Sequence, residues 1–200
     1  MIKIGAKKPC AGNCMLFALN ANLEHFDGSL VPNNSTGVWL HHCVVANVGM
    51  QVKDGTCGGV MEPFFESGNE RSDAPFNSPP SGVKSGYHMR TPDSILINTE
   101  FMNMEDKEKW VWLTLEYDYI EGFKDDYLEG KLIWMNLGPS RCTGSESNPY
   151  GNTNLTRTQQ PVKMVLEEHS MPWKAFADGQ MLGANSHLHD GKTGPCCGVI

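Results

Sequence analysis

The run 110–120 constrains the fold of this chain more than any other segment. Val111, Leu113, Leu115, Tyr117 and Tyr119 alternate with Trp112, Thr114, Glu116 and Asp118. A two-residue period is that of a strand with one apolar and one polar face. No segment longer than about ten residues carries the 3.6-residue period of a helix. Further strand-like runs are 15–23, 37–48, 94–104 around Ile95-Leu96-Ile97, 131–136 and 162–168. Segments 174–176 and 181–189 predict a closing hairpin around 177–180, where Asp178-Gly179 is a turn dipeptide. Two turn-rich stretches, 66–86 and 138–160, read as long surface loops. With 21 Gly and 12 Pro in 200 residues, about a sixth of the chain favours turns. The expectation is an all-β chain, a single β-sandwich or jelly-roll-like domain with long loops over 1–200. A variant of it has a core domain 1–172, with 173–200 as a terminal hairpin or the remnant of a second domain.

Charge narrows the partners. The formal net charge is −7 and no basic run exceeds Lys7-Lys8, so a nucleic acid would be repelled. No apolar stretch reaches the ~18 residues of a membrane span. A small-molecule substrate is the expected partner, and a homodimer stays open. Seven cysteines are an odd count, which leaves at least one outside any internal pairing. The spacing of Cys10 and Cys14 reads as a small disulfide loop, since no second Cys pair stands at zinc-finger spacing. The sequons at Asn34 and Asn154 favour a secreted glycoprotein. No leader stands at the start of the sequence, so either a leader was removed, as secretion requires, or the protein is intracellular.

Histidines carry the clearest chemical signal. In a strand, residues i and i+2 share a face, so His187 and His189 can meet one metal ion. Two solvent-facing histidines on an edge strand are the plain alternative. His41 and His42 are adjacent, and sharing an ion then requires a bulge or a strand end. One core and one surface histidine is the competing picture. Cys43 is either a soft third ligand or a small buried residue. His88 is a candidate third imidazole, with Met89 as a thioether alternative. Glu70 and Arg71 are candidates for binding a substrate anion, or a solvated loop. Met102 and Met104 share a face and are either core or soft ligands. The two histidine pairs are expected to approach within about 12 Å in one cleft, as strands of one sandwich do.

Several of these stretches carry a resemblance. Cys10 through Cys14, Ala21-Asn22-Leu23-Glu24, Asp27-Gly28 and 37–42 resemble a fungal secreted family related to plant stress-up-regulated nodulin proteins. So do 64–71, Met102-Asn103-Met104 and 187–191. That family is distantly similar to the copper domains of peptidylglycine α-hydroxylating monooxygenase, in which a His-His pair and a His-x-His pair hold two separate coppers. The resemblance implies copper on His41, His42, His187 and His189. The chain departs from the monooxygenase pattern in three ways. Cys43 stands where a methionine follows the His-His pair. The strand expected to bring a third histidine reads 95–100 and has none. The family also continues past its His-x-His motif, which implies that most of a second domain lies outside this sequence.

The expected function is therefore a copper-binding secreted fungal protein. It would oxidise a small organic substrate through histidine-ligated copper. The alternative is a metal-free natural-product cyclase, of pericyclase or hetero-Diels–Alder type. Its apolar aromatic pocket would be built from Trp39, Trp112, Tyr117 and Trp134, with His41, His42, His88 and Glu100 as acid–base groups. A non-catalytic binding protein is the third class.

Overall fold

A computed structural model describes residues 1–32, 37–56, 58–78, 80, 82–135, 174–175 and 177–185. Their secondary structure is strand, with no α-helix among the described residues. The strands are β1 (Ile2–Ala6), β2 (Cys14–Glu24), β3 (Val38–Asn47), β4 (Glu62–Gly68), β5 (Ala74–Pro75), β6 (Ser85–Met89), β7 (Ile95–Asn103), β8 (Trp112–Glu121) and β9 (Leu128–Glu129). They form two sheets. The first has the order β1-β7-β3-β4; the second has β5-β2-β6-β9, with β8 on the other edge of β2.

The two sheets pack face to face. Leu40, Cys43, Val45, Phe64 and Phe65 of the first sheet join Leu19, Ala21, Leu23, Tyr87 and Met89 of the second in one buried cluster. The Phe64 and Tyr87 rings stack across the gap at 4.6 Å. Removing one such side chain from water contributes about 1.5–3 kcal/mol. The expected all-β sandwich is the observed architecture. Residues 111, 113, 115 and 117 turn to the core, as the alternation in 110–120 predicts, while Trp112 is exposed.

The sandwich carries a polar bolt between its sheets. The Tyr87 hydroxyl donates to Glu62 Oε2 at 2.8 Å. Asn47 Nδ2 donates to the Tyr87 hydroxyl and to Asp93 Oδ2, and Lys131 Nζ reaches Glu62 Oε1 at 2.8 Å. Burial and the neighbouring Glu62 carboxylate push the Tyr87 phenol strongly up, so it stays a donor. The predicted Cys10–Cys14 disulfide is present.

Three expectations are corrected. The stretch 66–86 is not one loop, because it contains the end of β4, all of β5 and the start of β6. Its Gly, Ser and Pro content masks strands held by their neighbours: Ser67 and Gly68 pair with Cys43 and His42. Residues 131–135 are not a strand, and neither are the described residues of the expected hairpin, 174–175, 177–180 and 181–185. No described strand pairs with them, and most are exposed. Apolar content alone does not supply a ladder partner. The stretches 162–168 and 186–189 lie outside the described residues, as do Asn34 and Asn154. Among the described residues, no helix is long and apolar enough to cross a membrane.

Candidate metal centre

The site begins with an irregularity in β3. In a regular ladder the side chains of His41 and His42 would point to opposite faces. Here Leu40 pairs with Phe101 and His42 with Glu100, one residue out of step. His41 is the extra residue of a β-bulge, so two β3 residues stand opposite one β7 residue. Leu40 and Cys43, on either side, both remain in the core. His41 and His42 therefore share the outer face of the first sheet, their ring centroids 4.1 Å apart. The bulge that a shared ion demands is present.

Glu100 closes the group. Thr99 is buried beside it and Phe101 packs on the core, so alternation sends Glu100 outward, where it is exposed. His41 Nδ1 lies 3.1 Å and His42 Nδ1 3.2 Å from the same oxygen, Oε2. The His42 contact has hydrogen-bond geometry, while His41 approaches off the hydrogen-bonding direction. Contact with the His41 imidazole and its charge, and His42 after it, hold the Glu100 carboxyl below the usual carboxylate range. All three donor atoms lie within 4.8 Å of one another. Ligand atoms bound to one ion at about 2.0 Å sit roughly 2.9–3.3 Å apart at right-angled to tetrahedral bond angles. The two nitrogen–oxygen distances match that spacing.

Other expected donors go elsewhere. Cys43 turns into the core, and burial pushes its thiol up to about 12. It is a small buried residue and not a ligand of this group. His88 is on β6, between core-facing Tyr87 and Met89, so it points out from the second sheet. The whole sandwich separates it from Glu100. It stacks on Phe123 at 4.5 Å, and its Nε2 is buried without a hydrogen-bond partner. His88 is therefore not a third imidazole for the His41–His42 pair, because its strand belongs to the other sheet; its relation to His187 and His189 lies outside the described residues. Met89 is fully buried and is core as well. Glu70 Oε1 accepts from the Gly68 amide, and Arg71 adopts a left-handed backbone, φ 55°. His187 and His189, and with them the 12 Å expectation, lie outside the described residues.

The aromatic set of the cyclase reading does not form a common wall. Trp112 and Tyr117 are an odd number of residues apart on β8, so they face opposite sides. Trp112 is exposed and Tyr117 packs on the core. A surface depression of about 410 Å³ is lined by His25, Val38, Glu105, Lys109, Trp110 and Val111, none of them in that set.

Glu100 was legible as an acid–base candidate, but its place as third donor was not. Only the register of β3 on β7 puts it against both histidines. Imidazole and carboxylate together suit copper, zinc and ferrous iron, so the donor set fits copper without selecting it.

Comparison with known proteins adds one indication. No family model matches the chain, and no solved structure matches it. The nodulin and monooxygenase kinships gain no support from either. The chain is 30% identical over 193 residues to a protein of a Phoma species named "Probable copper-dependent oxygenase M1". That alignment covers 95% of this chain and 45% of the other protein. The chain thus spans less than half the length of that relative, whose printed name includes copper.

Proposed function

We propose that this chain holds a copper ion on His41 Nδ1, His42 Nδ1 and Glu100 Oε2, and that the site serves oxidation of a small organic substrate. The observation that carries the reading is the meeting of both imidazoles on one carboxylate oxygen. A simple ion pair needs only one imidazole; a bulge that turns both to one side is what a shared ion needs. The likeness to a protein named as a copper-dependent oxygenase favours copper among the metals that suit these donors.

Bound copper supplies one-electron redox chemistry and an affinity for dioxygen. The chain's own part is positional and electrostatic. The bulge fixes both rings, and β7 fixes the carboxylate opposite them. Glu100 offsets part of the cationic charge. Without an ion, one nitrogen–oxygen contact is a hydrogen bond; ligation requires the proton to leave Nδ1, so each ring would carry it on Nε2. Glu100 is exposed and the two histidine side chains are about a quarter exposed, which would leave ligand positions accessible to a substrate.

The test is metal titration of chelator-stripped protein. The expected result is one Cu(II) per chain with micromolar affinity or better, lost in the His41→Ala, His42→Ala double variant. Circular dichroism checks that the variant keeps its strands. Unchanged binding in a folded double variant removes the site.

A further inference from the structure

The outer face of the first sheet holds a fourth group of the right chemistry. Along β7, Phe101 packs on the core, so its neighbours Glu100 and Met102 both face outward. Their Cα atoms are about 6.8 Å apart at a strand rise of about 3.4 Å per residue. Across the ladder Met102 pairs with Trp39, and Leu40 with Phe101. The bulge residue His41 lies between the Leu40–Phe101 and His42–Glu100 pairs, on the Met102 side of Glu100. Met102 is half-buried and stands apart from the core cluster, while Met104 is 57% exposed. A methionine side chain is long, unbranched and adaptable. Two bonds of about 2.0–2.3 Å to a common ion fit between two such side chains.

Resting on the reading of His41, His42 and Glu100 as a metal site, we infer that Met102 supplies a thioether ligand to that ion. The site then favours cuprous copper over zinc. Thioether sulfur is a soft donor and prefers Cu(I), whereas imidazole and carboxylate alone serve zinc equally well. Neighbouring groups on the same face do not replace it. Among the described neighbours, Val44 and Leu96 offer no donor atom, Asn98 and Glu66 offer only hard oxygen, and the β4 residue opposite His42 is Gly68, with no side chain. Cys43 is turned to the core.

The experiment uses the full chain with its accessible thiols alkylated by iodoacetamide, so that cysteine does not contribute. The protein is loaded anaerobically with Cu(I) or with Zn(II). Affinity is read by chelator competition and coordination by X-ray absorption at the metal edge. The expected result is a sulfur neighbour at about 2.3 Å from Cu(I) that disappears in Met102→Leu. Cu(I) affinity falls at least about tenfold in that variant, Zn(II) affinity changes less than about twofold, and Met104→Leu changes neither. A wild-type spectrum without sulfur, a sulfur signal that survives Met102→Leu, or equal losses for both metals overturns the assignment. The His41→Ala, His42→Ala variant separates the two readings. If it loses both metals while Met102→Leu is silent, only the thioether is wrong. If it binds both metals as the wild type does, the site itself is wrong.

Discussion

Both outer faces of the sandwich carry histidine, and they treat it in opposite ways. On the first sheet, His41 and His42 converge on a carboxylate and stay accessible, with side chains about a quarter exposed beside a Glu100 that is 60% exposed. On the second, His88 is covered by Phe123, and its cross-strand neighbour Met15 is fully buried. Met15 lies so closely over Gly86 that a Cβ there would meet its Cγ at 2.3 Å. The charged neighbours differ as well. Burial pushes the His88 imidazole down; Glu129 opposes that shift, and Arg90 and Lys131 add to it. Glu129 is itself engaged by Lys131 at 3.0 Å and Arg90 at 3.6 Å. An imidazole becomes a ligand candidate where backbone irregularity, a carboxylate within reach and access coincide. One lacking them is a packing residue.

The bulge is the sharpest point at which to break this contrast. Deleting His41 restores an unbroken β3–β7 ladder, with Leu40 on Phe101 and His42 on Glu100. One donor disappears while the core pattern of Leu40 and Cys43 is kept. Losing an outer-shell partner already costs a metal site 10–100-fold, so losing a ligand costs about 100-fold or more in affinity. Titration of the folded deletion variant reads this directly. Affinity within about threefold of wild type would mean that the bulge serves the fold and not an ion.

A smaller effect is expected at the carboxylate. Glu100→Gln keeps an oxygen near both rings but removes its charge. Metal affinity should fall by roughly tenfold, with little change in stability, because the exposed contact with histidine contributes little to folding. Calorimetric titration with Cu(II) checks the first part and urea unfolding the second. If the variant binds copper as tightly as the wild type, Glu100 is only a hydrogen-bond acceptor for the two rings.

How much of this was legible in the sequence follows from the physics of strands. Residues 111–117 alternate strictly, so their strand and inward face could be read directly. The adjacent histidines could be read only as a conditional, because a bulge is a property of register between two strands and leaves no mark on either one. Glu100 illustrates the same limit. Its distance of 58 positions from His42 is bridged by the ladder, not by local spacing. The strand β4 was hidden by Pro63, Ser67 and Gly68, residues with weak strand preference that pairing with β3 holds in place. His88 could be read only as an open donor, because its motif, Tyr-His-Met, does not say which sheet it joins.

The smallest predicted effect lies on the covered face and concerns pH. The folded-state pKa of His88 is lowered from its ordinary 6.5, first by burial. A base whose pKa is depressed by folding binds protons more readily when unfolded. Its contribution to stability is therefore fully present above about pH 6.5 and is lost as the pH falls through the depressed value. His88→Phe keeps an aromatic ring against Phe123, removes the titrating group and removes the unpartnered Nε2. The groups that face this position, Glu129, Arg90 and Lys131, stay in place. The residue is partly exposed, so solvent screening keeps the effect below about 1 kcal/mol. Urea unfolding at pH 7.5 and at pH 5 measures it as a difference of differences. Wild type should lose more stability between the two than the variant does. An equal loss in both proteins would show that His88 titrates as freely as it does in the unfolded chain, and the contrast between the two faces would then rest on geometry alone.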